Sequence, residues 1–401
     1  MISRLTLLLS ARCNLSCSYC YQGERRGPER MTWDTARAAL DFCLARRAPN
    51  FSVEFNGGEP LLEPDLLRRC IEHVEARRGE SAVRFFLTTN GTLITHEMLE
   101  FLVAHDVGLQ ISLDGVPKAQ GHRGDWTSER LDRVLEELAR SHLGYARRRL
   151  RIQAGLMPST LHTMADSGRY FLDSEVPEVL FYTVLGQDDA WTLEDEEALE
   201  FQVGRLLEDG INHWNRTAEV PIMFLREVQE RVQGGPGEGP FCGAGSGSGF
   251  FVDTSGRAWT CLMFASSLQP LSPLAREAEP ALDLGEVREP ALKDRLAGVP
   301  SLLSRLRLFT HRRDKYSSFS RCRDCEFLPA CSLCPAAISH TPGNRDPDKV
   351  PDFFCAFTRA TGKARREFRR RTADSETARR LEKARAALER LKDVVQDSLN
   401  N

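Results

Sequence analysis

The stretch LLLSARCNLSCSYCYQ, residues 7–22, decides how the rest of the chain is read. An apolar run ends at Leu9, and Cys13, Cys17 and Cys20 follow within a few residues. Three readings compete: the end of an export signal, a zinc site, or a loop that builds something else. A secretory signal needs a basic start, an apolar core of roughly seven or more residues and small residues before the cut. Here the core is only Leu5–Leu9, and Arg12 stands directly before Cys13, where a lipoprotein cysteine would follow small residues. The chain is therefore expected to be cytoplasmic. In a reducing cytosol its twelve cysteines are not expected to form disulfides. Ten of them fall into two groups, Cys13, Cys17 and Cys20 at one end and Cys242, Cys261, Cys322, Cys325, Cys331, Cys334 and Cys355 at the other. Cys43 and Cys70 lie inside predicted helices and read as small buried hydrophobes.

With 401 residues the chain has room for two or three domains. A hydrophobic content of 41% and a charged content of 28% are those of a globular protein. A formal net charge of −3 gives no global field favouring nucleic acid or an anionic membrane, and no apolar stretch is long enough to span a bilayer.

From residue 2 to about 184, β-rich apolar runs alternate with helical patterns. Strands are predicted at Ser3–Leu9, Ser52–Phe55, Arg84–Thr88, Val107–Ser112, Leu150–Leu156 and Val179–Val184. Helices are predicted at Thr32–Arg46, Pro64–Arg77, Thr95–His105, Ser128–Ser141 and Leu161–Leu172. Such alternation implies parallel strands with right-handed crossovers, in an open doubly wound sheet or a partial barrel. Sites in these folds form at the carboxyl ends of the strands. The cysteines, Asn56-Gly57-Gly58-Glu59-Pro60, Thr89-Asn90-Gly91-Thr92 and Ser112-Leu113-Asp114-Gly115 all fall on that edge and can line one pocket.

A helix-rich stretch over 193–232 precedes GGPGEGPFCGAGSGSG, residues 234–249. This reads as a flexible linker, except that Cys242 sits inside it. Residues 250–261, FFVDTSGRAWTC, read as a β-hairpin turning at Ser255-Gly256. From Cys322 to Cys355 the chain is too loop-rich to build a large apolar core and is expected to need metal. The tail Ser375–Leu399 has Leu381, Ala384, Leu388, Leu391 and Val395 near one helical face, expected to pack on its own protein. The run KARREFRRR, 363–371, reads as a solvated helix face or a receiver of an acidic peptide segment.

Cys13-x3-Cys17-x2-Cys20 supplies three thiolates, one fewer than a closed zinc site or an ordinary electron-transfer cluster wants. Three ligands leave one iron of a 4Fe–4S cluster open for a substrate or cofactor. The motif, placed after the first strand of a βα repeat and with Tyr19 before its third cysteine, resembles the radical S-adenosylmethionine (SAM) superfamily. The resemblance implies a partial (β/α)6 barrel, with the open iron chelating the SAM amino and carboxylate groups. One-electron reduction then releases a 5′-deoxyadenosyl radical. Gly57-Gly58-Glu59 is similar to the GGE motif that binds the SAM amino group. Glycines would bring main-chain carbonyls to the ammonium, and a carboxylate would complement its charge. Asn56 and Ser112 match positions contacting ribose or carboxylate in relatives, and Asn90 and Asp114 lie on the same rim. Arg123 is a candidate partner for the SAM carboxylate, although its segment GHRGDW departs from the pattern of relatives. Asp253, Asp114 and His122 are candidate acids or bases.

The seven later cysteines resemble the SPASM extension of peptide-modifying radical SAM enzymes. Cys242 leads, Gly256-x4-Cys261 follows, then Cys322-x2-Cys325-x5-Cys331, then Cys334 one residue early, and Cys355 closes. On that pattern Cys322, Cys325, Cys331 and Cys355 complete one auxiliary 4Fe–4S cluster. Cys242, Cys261 and Cys334 are left for a second, with one open or non-cysteine position. Alone, C-x2-C-x5-C-x2-C would more often read as a zinc ribbon.

The resemblance implies three domains: a radical SAM barrel with following helices over 1–232, an auxiliary-cluster SPASM domain over 233–360, and a helical tail over 361–401. It implies hydrogen abstraction from a precursor peptide, giving a crosslink or oxidation, with electrons from a flavodoxin- or ferredoxin-type donor. The alternatives are an anaerobic sulfatase maturase, expected to carry eight C-terminal cysteines, and a non-enzymatic iron–sulfur or zinc module. Many peptide maturases place a leader-binding domain of ~80–100 residues before the barrel. With the first strand at residue 2–3, leader recognition is expected to fall to a separate protein, the barrel rim, the 193–232 helices or the tail.

Overall fold

The computed structural model describes residues 1–22, 30–79, 82–186, 191–226, 242 and 244–373. β1 (Ile2–Ser10) is buried along most of its length, which is why it reads as an apolar run. It is followed by α1 (Trp33–Leu44), β2 (Arg47–Gly57), α2 (Pro64–Glu75), β3 (Arg84–Thr89), α3 (His96–Ala104) and β4 (Gly108–Ser112). Then come α4 (Pro117–Gln120), α5 (Thr127–Ser141), α6 (Leu143–Arg149), β5 (Leu150–Leu156), α7 (Met164–Asp173), β6 (Val179–Thr183) and α8 (Leu193–Thr217). Polar side chains set the helix starts: Thr32 accepts from the Thr35 N–H, and Thr95 from the Met98 N–H.

The sheet order settles the open choice between architectures. β1 to β6 lie side by side in unbroken sequence order, every pair parallel. A doubly wound sheet reverses direction at a switch point. Here every crossover steps the same way, so right-handed connections carry the helices to one face. This α/β fold is a partial (β/α)6 barrel.

The later elements are β7 (Gly249–Val252), β8 (Arg257–Trp259), α9 (Pro273–Leu282), β9 (Asp283–Glu286), α10 (Leu292–Leu303), α11 (Pro335–Ser339) and α12 (Asp352–Ala373). β7 and β8 form the expected hairpin. β7 also pairs in parallel with the free edge of β1, and β8 pairs with β9, giving nine strands among the described residues. The sheet thus runs across the expected 232/233 boundary, which itself lies outside the described residues. One buried apolar cluster extends from Ile2 to Phe368.

Three boundaries differ from expectation for local reasons. β2 begins at Arg47, because Arg47 pairs with Ile2 although its surroundings are polar. α7 begins at Met164, because Pro158–Thr163 tightens into a 3-10 turn. α12 passes through 360/361 without a break.

The basic run on α12 is largely engaged within the chain. Lys363 pairs with Glu200 at 2.6 Å, Arg366 with Glu326 at 2.8 Å and Arg371 with Glu208, and Arg365 donates to the Phe224 carbonyl at 2.9 Å. Lys363, Arg366, Arg369, Arg370 and Arg371 are nonetheless exposed, as the solvated-face reading expects, while Ala364 and Phe368 turn the opposite face of α12 to the core. The tail pattern of 375–399 and most of the glycine-rich stretch lie outside the described residues.

Candidate active site

The carboxyl ends of β1 to β4 gather the motif loops. Cys13, Cys17 and Cys20 are each partly exposed on the loop after β1. That loop is held from three sides. On the first, the Gly58 and Glu59 N–H groups donate to the Ser10 and Arg12 carbonyls, both at 2.8 Å. A Cβ on Gly57 would stand 2.6 Å from the Ser10 oxygen, and one on Gly58 would stand 2.3 Å from the Arg12 oxygen. These glycines therefore let the β2 loop lie directly against the residues leading into Cys13.

On the second side stands the loop after β3. Asn90 Nδ2 donates to Asn14 Oδ1 at 2.9 Å, and Asn14 Nδ2 to Thr92 Oγ1 at 2.9 Å. On the third, Ser18 donates its N–H to the His122 carbonyl at 3.0 Å, and its hydroxyl lies 2.8 Å from His122 Nδ1.

Glu59 is fully buried, at 0% exposure. Its carboxylate accepts from the Leu61 N–H at 2.9 Å, the Thr89 hydroxyl at 2.7 Å and the Asn90 N–H at 2.8 Å. Burial raises its pKa to about 7 against those three donors. The carboxylate braces the loops after β2 and β3.

Asp114 and Arg123 form a buried pair. Arg123 Nε and Nη2 reach Asp114 Oδ2 and Oδ1 at 2.9 and 3.1 Å. Asp114 also accepts from the Tyr19 hydroxyl and from the Gly155 N–H at 2.9 Å. Burial opposes the Arg123 charge, yet Asp114, Tyr19 and Tyr182 together more than offset it and the pKa stands well above its usual value. The guanidinium lies over the Tyr19 ring, 5.2 Å from its centre, and also bonds the Tyr182 side chain. Tyr182 on β6 was missed from the sequence, where one aromatic in a strand carries no signal. Asn56 and Ser112 are partly buried at the ends of β2 and β4, and neither side chain is spent on a hydrogen bond among the described residues. Asp253, 1% exposed, closes the β7–β8 turn: its Oδ1 accepts from the N–H groups of Ser255, Gly256 and Arg257, and its Oδ2 has no partner.

The seven later cysteines separate into two sets. Cys322, Cys325, Cys331 and Cys355 line one pocket with Leu328, Leu333, Val350 and Phe354. Burial, then the charges of the other three, pushes the Cys322 thiol up to about 12. Cys261 is raised by burial and by Cys242 and Cys334; Cys334 is raised to about 11 by burial and Cys242. Thiols so placed stay protonated until a cationic core replaces their protons, which fits the donor set of thiolate-bound clusters. Among the described residues no three His, Cys, Asp or Glu side chains converge as a single metal ion would need.

The four-cysteine pocket takes Phe354 and Cys355 from α12 and its other three thiols from short turns. Its brace is Lys315, whose side chain is fully buried. Lys315 Nζ donates to the Arg307 carbonyl at 2.5 Å, the Pro347 carbonyl at 3.0 Å and Asp348 Oδ1 at 3.0 Å, while the Lys315 carbonyl accepts from the Cys322 N–H at 3.0 Å.

No helix among the described residues is long and apolar enough to cross a membrane. Residues 7–145 match the Radical SAM superfamily. The GTP 3′,8-cyclase of Streptomyces coelicolor is 28% identical over 333 residues, 74% of this chain and 87% of that protein. Against the first three curated relatives it matches, the chain spans only 40%, 54% and 31% of their length. The fold is similar to anSMEcpe with bound AdoMet and Kp18Cys peptide (TM-score 0.67, 16% identity, 91% of this chain and 97% of that one). It is also similar to Streptococcus suis SuiB bound to precursor peptide SuiA (TM-score 0.52, 15% identity, 88% and 76%). From its cysteine loop through the strand ends that grip it, the chain carries a radical SAM domain over residues 7–145.

Proposed function

We propose that this protein is a radical SAM enzyme of the SPASM kind that oxidises or crosslinks a precursor peptide. The observation that carries the reading is the division of the later cysteines into four around one pocket and three apart, on a chain whose sheet joins both halves. Cys13, Cys17 and Cys20 would hold the SAM-binding 4Fe–4S cluster. Cys322, Cys325, Cys331 and Cys355 would hold one auxiliary cluster, and Cys242, Cys261 and Cys334 a second with one position left for substrate or a non-cysteine ligand. When bound there, the SAM-ligated cluster supplies a 5′-deoxyadenosyl radical on one-electron reduction, and the auxiliary clusters supply an acceptor for the second electron.

The chain's own groups do the positioning. The Gly57 and Gly58 main chain would take the SAM ammonium, and Asn56 and Ser112 the ribose or carboxylate. Tyr19 and the Asp114–Arg123 pair would wall the pocket, with the Arg123 charge directed toward the SAM carboxylate only as part of that pair. The proposed division of the chain is 1–232, 233–360 and 361–401, as barrel, SPASM domain and tail, with β7 seated on the barrel sheet and α12 continuous into the tail. The proposed setting is the cytoplasm, with a flavodoxin- or ferredoxin-type electron donor. A peptide substrate is supported by the peptide complexes of anSMEcpe and SuiB, whose folds this chain resembles.

The likeness to anSMEcpe over 91% of the chain favours, as a second reading, a sulfatase-maturase reaction that makes formylglycine. Co-expression with short peptides encoded beside the gene, followed by mass spectrometry, separates the outcomes. A peptide lighter by two hydrogens that carries no aldehyde supports crosslinking or oxidation, and an aldehyde at one Cys or Ser supports the second reading. Conversion of GTP with every peptide unchanged would overturn both.

A further inference from the structure

Asn90 follows β3 and is 7% exposed. Its amide is oriented by a group that can only donate. The Thr92 N–H reaches Asn90 Oδ1 at 3.0 Å, and the Thr92 hydroxyl reaches the same oxygen at 2.7 Å. The oxygen therefore faces Thr92 and the nitrogen faces away. There Nδ2 donates to Asn14 Oδ1 at 2.9 Å and to Cys13 Sγ at 3.8 Å. Asn14 Nδ2 donates to Thr92 Oγ1 at 2.9 Å and closes a ring of three side chains. The Asn90 N–H is pinned by Glu59 at 2.8 Å, and Cys13 Sγ has a second donor in the Leu15 N–H at 3.4 Å.

We propose that Asn90 is a positioning residue for the N-terminal cluster: its Nδ2–H donates to the Cys13 sulfur and sets the potential at which that cluster is reduced. The inference rests on the reading of Cys13, Cys17 and Cys20 as cluster ligands. Reduction adds negative charge that spreads onto the thiolates, and a hydrogen bond to a thiolate stabilises the more negative form. The donor raises the potential and makes the cluster easier to reduce. The ring with Asn14 and Thr92 holds the amide so that the sulfur need not organise it, and Glu59 ties that ring to the β2 loop.

The test is a potentiometric titration of the full chain, anaerobically loaded with iron and sulfide and followed by electron paramagnetic resonance. The signal that changes when SAM is added identifies the N-terminal cluster among the others. Asn90→Asp replaces the donor by an acceptor. At a fixed poise it is expected to lower the reduced-to-oxidised ratio about tenfold, which is about 59 mV for a one-electron couple. Asn90→Ala is expected to shift it the same way by less, and Thr92→Val, which removes the hydroxyl from the ring but keeps the N–H on Asn90 Oδ1, by least. The SAM-sensitive signal persists in all three. An unchanged potential in both Asn90 variants overturns the proposal. Should the Asn90 variants assemble no SAM-sensitive signal, an unchanged potential in Thr92→Val overturns it. Failure of the underlying reading looks different: the unaltered chain shows no SAM-sensitive signal, and Cys13→Ala leaves its iron content as it was.

Discussion

The thiols at the two ends of this chain are held by different means. Cys13, Cys17 and Cys20 sit at the carboxyl edge of a parallel sheet, on a loop gripped by neighbouring loops through Gly58, Glu59, Asn90 and His122. Cys322, Cys325 and Cys331 sit among single 3-10 turns, and beside them stands one buried ion pair. The first region is shaped by backbone hydrogen bonds and a large apolar core. The second packs on the same core and takes Cys355 from α12, but its other three thiols ride on short turns whose geometry depends on a few side chains and on whatever the sulfurs bind. A loop at a sheet edge can leave a ligand position open and still keep its form; the turns that carry Cys322, Cys325 and Cys331 are completed by Cys355 from α12.

The sharpest way to break this contrast is at Lys315. Lys315→Met leaves Asp348 buried with only Arg307 beside it. Asp348 keeps the Arg307 charge, but the Arg307 and Pro347 carbonyls lose their donor, at about 1–3 kcal/mol for each buried group left unpaired. Denaturant unfolding is expected to show a loss of that order, with limited proteolysis cutting first between 307 and 350. Equal loss of protection across β1 to β6 would contradict the division.

Glu59 tests the first region. Its pKa is raised from 4.5 to about 7, so the folded protein keeps a proton that the unfolded chain releases. The stability this proton contributes is fully present below pH ~4.5 and is lost as pH rises through about 7, by about 3 kcal/mol. Glu59→Gln removes that dependence. The stability of the unaltered protein relative to Glu59→Gln should therefore fall over this window; a rise would mean that the three donors outweigh burial and that the pKa is not raised. Gly58→Ala is the smallest change. Its Cβ meets a main-chain oxygen, so the Cys13 loop must move, at about 1–3 kcal/mol. Iron should be lost from the SAM-sensitive signal before it is lost from the others; uniform loss would contradict the placement of Gly58.

The strands, the cysteine loop and the glycine turns were legible because apolar period and motif spacing are local signals. The pairing of β7 with β1 was not, since parallel pairing between distant segments leaves no mark on either one. β9 is four residues long and was hidden for the same reason. Glu59 shows a different limit: a carboxylate after two glycines reads alike whether it faces a ligand or a neighbouring loop. Asn14 stood inside the quoted motif, yet its partnership with Asn90 and Thr92 exists only once β1 and β3 are brought together. Tyr182 had no signal at all.

The central claim is that the open position left by Cys13, Cys17 and Cys20 takes SAM. The direct measurement is 5′-deoxyadenosine formed from SAM when the anaerobically reconstituted chain is reduced with dithionite, compared with a Cys13→Ala/Cys17→Ala/Cys20→Ala variant that keeps its auxiliary cysteines. The account predicts 5′-deoxyadenosine from the unaltered chain, and from the variant none together with retained auxiliary iron. Equal amounts from both, or none from an iron-loaded unaltered chain, would contradict it.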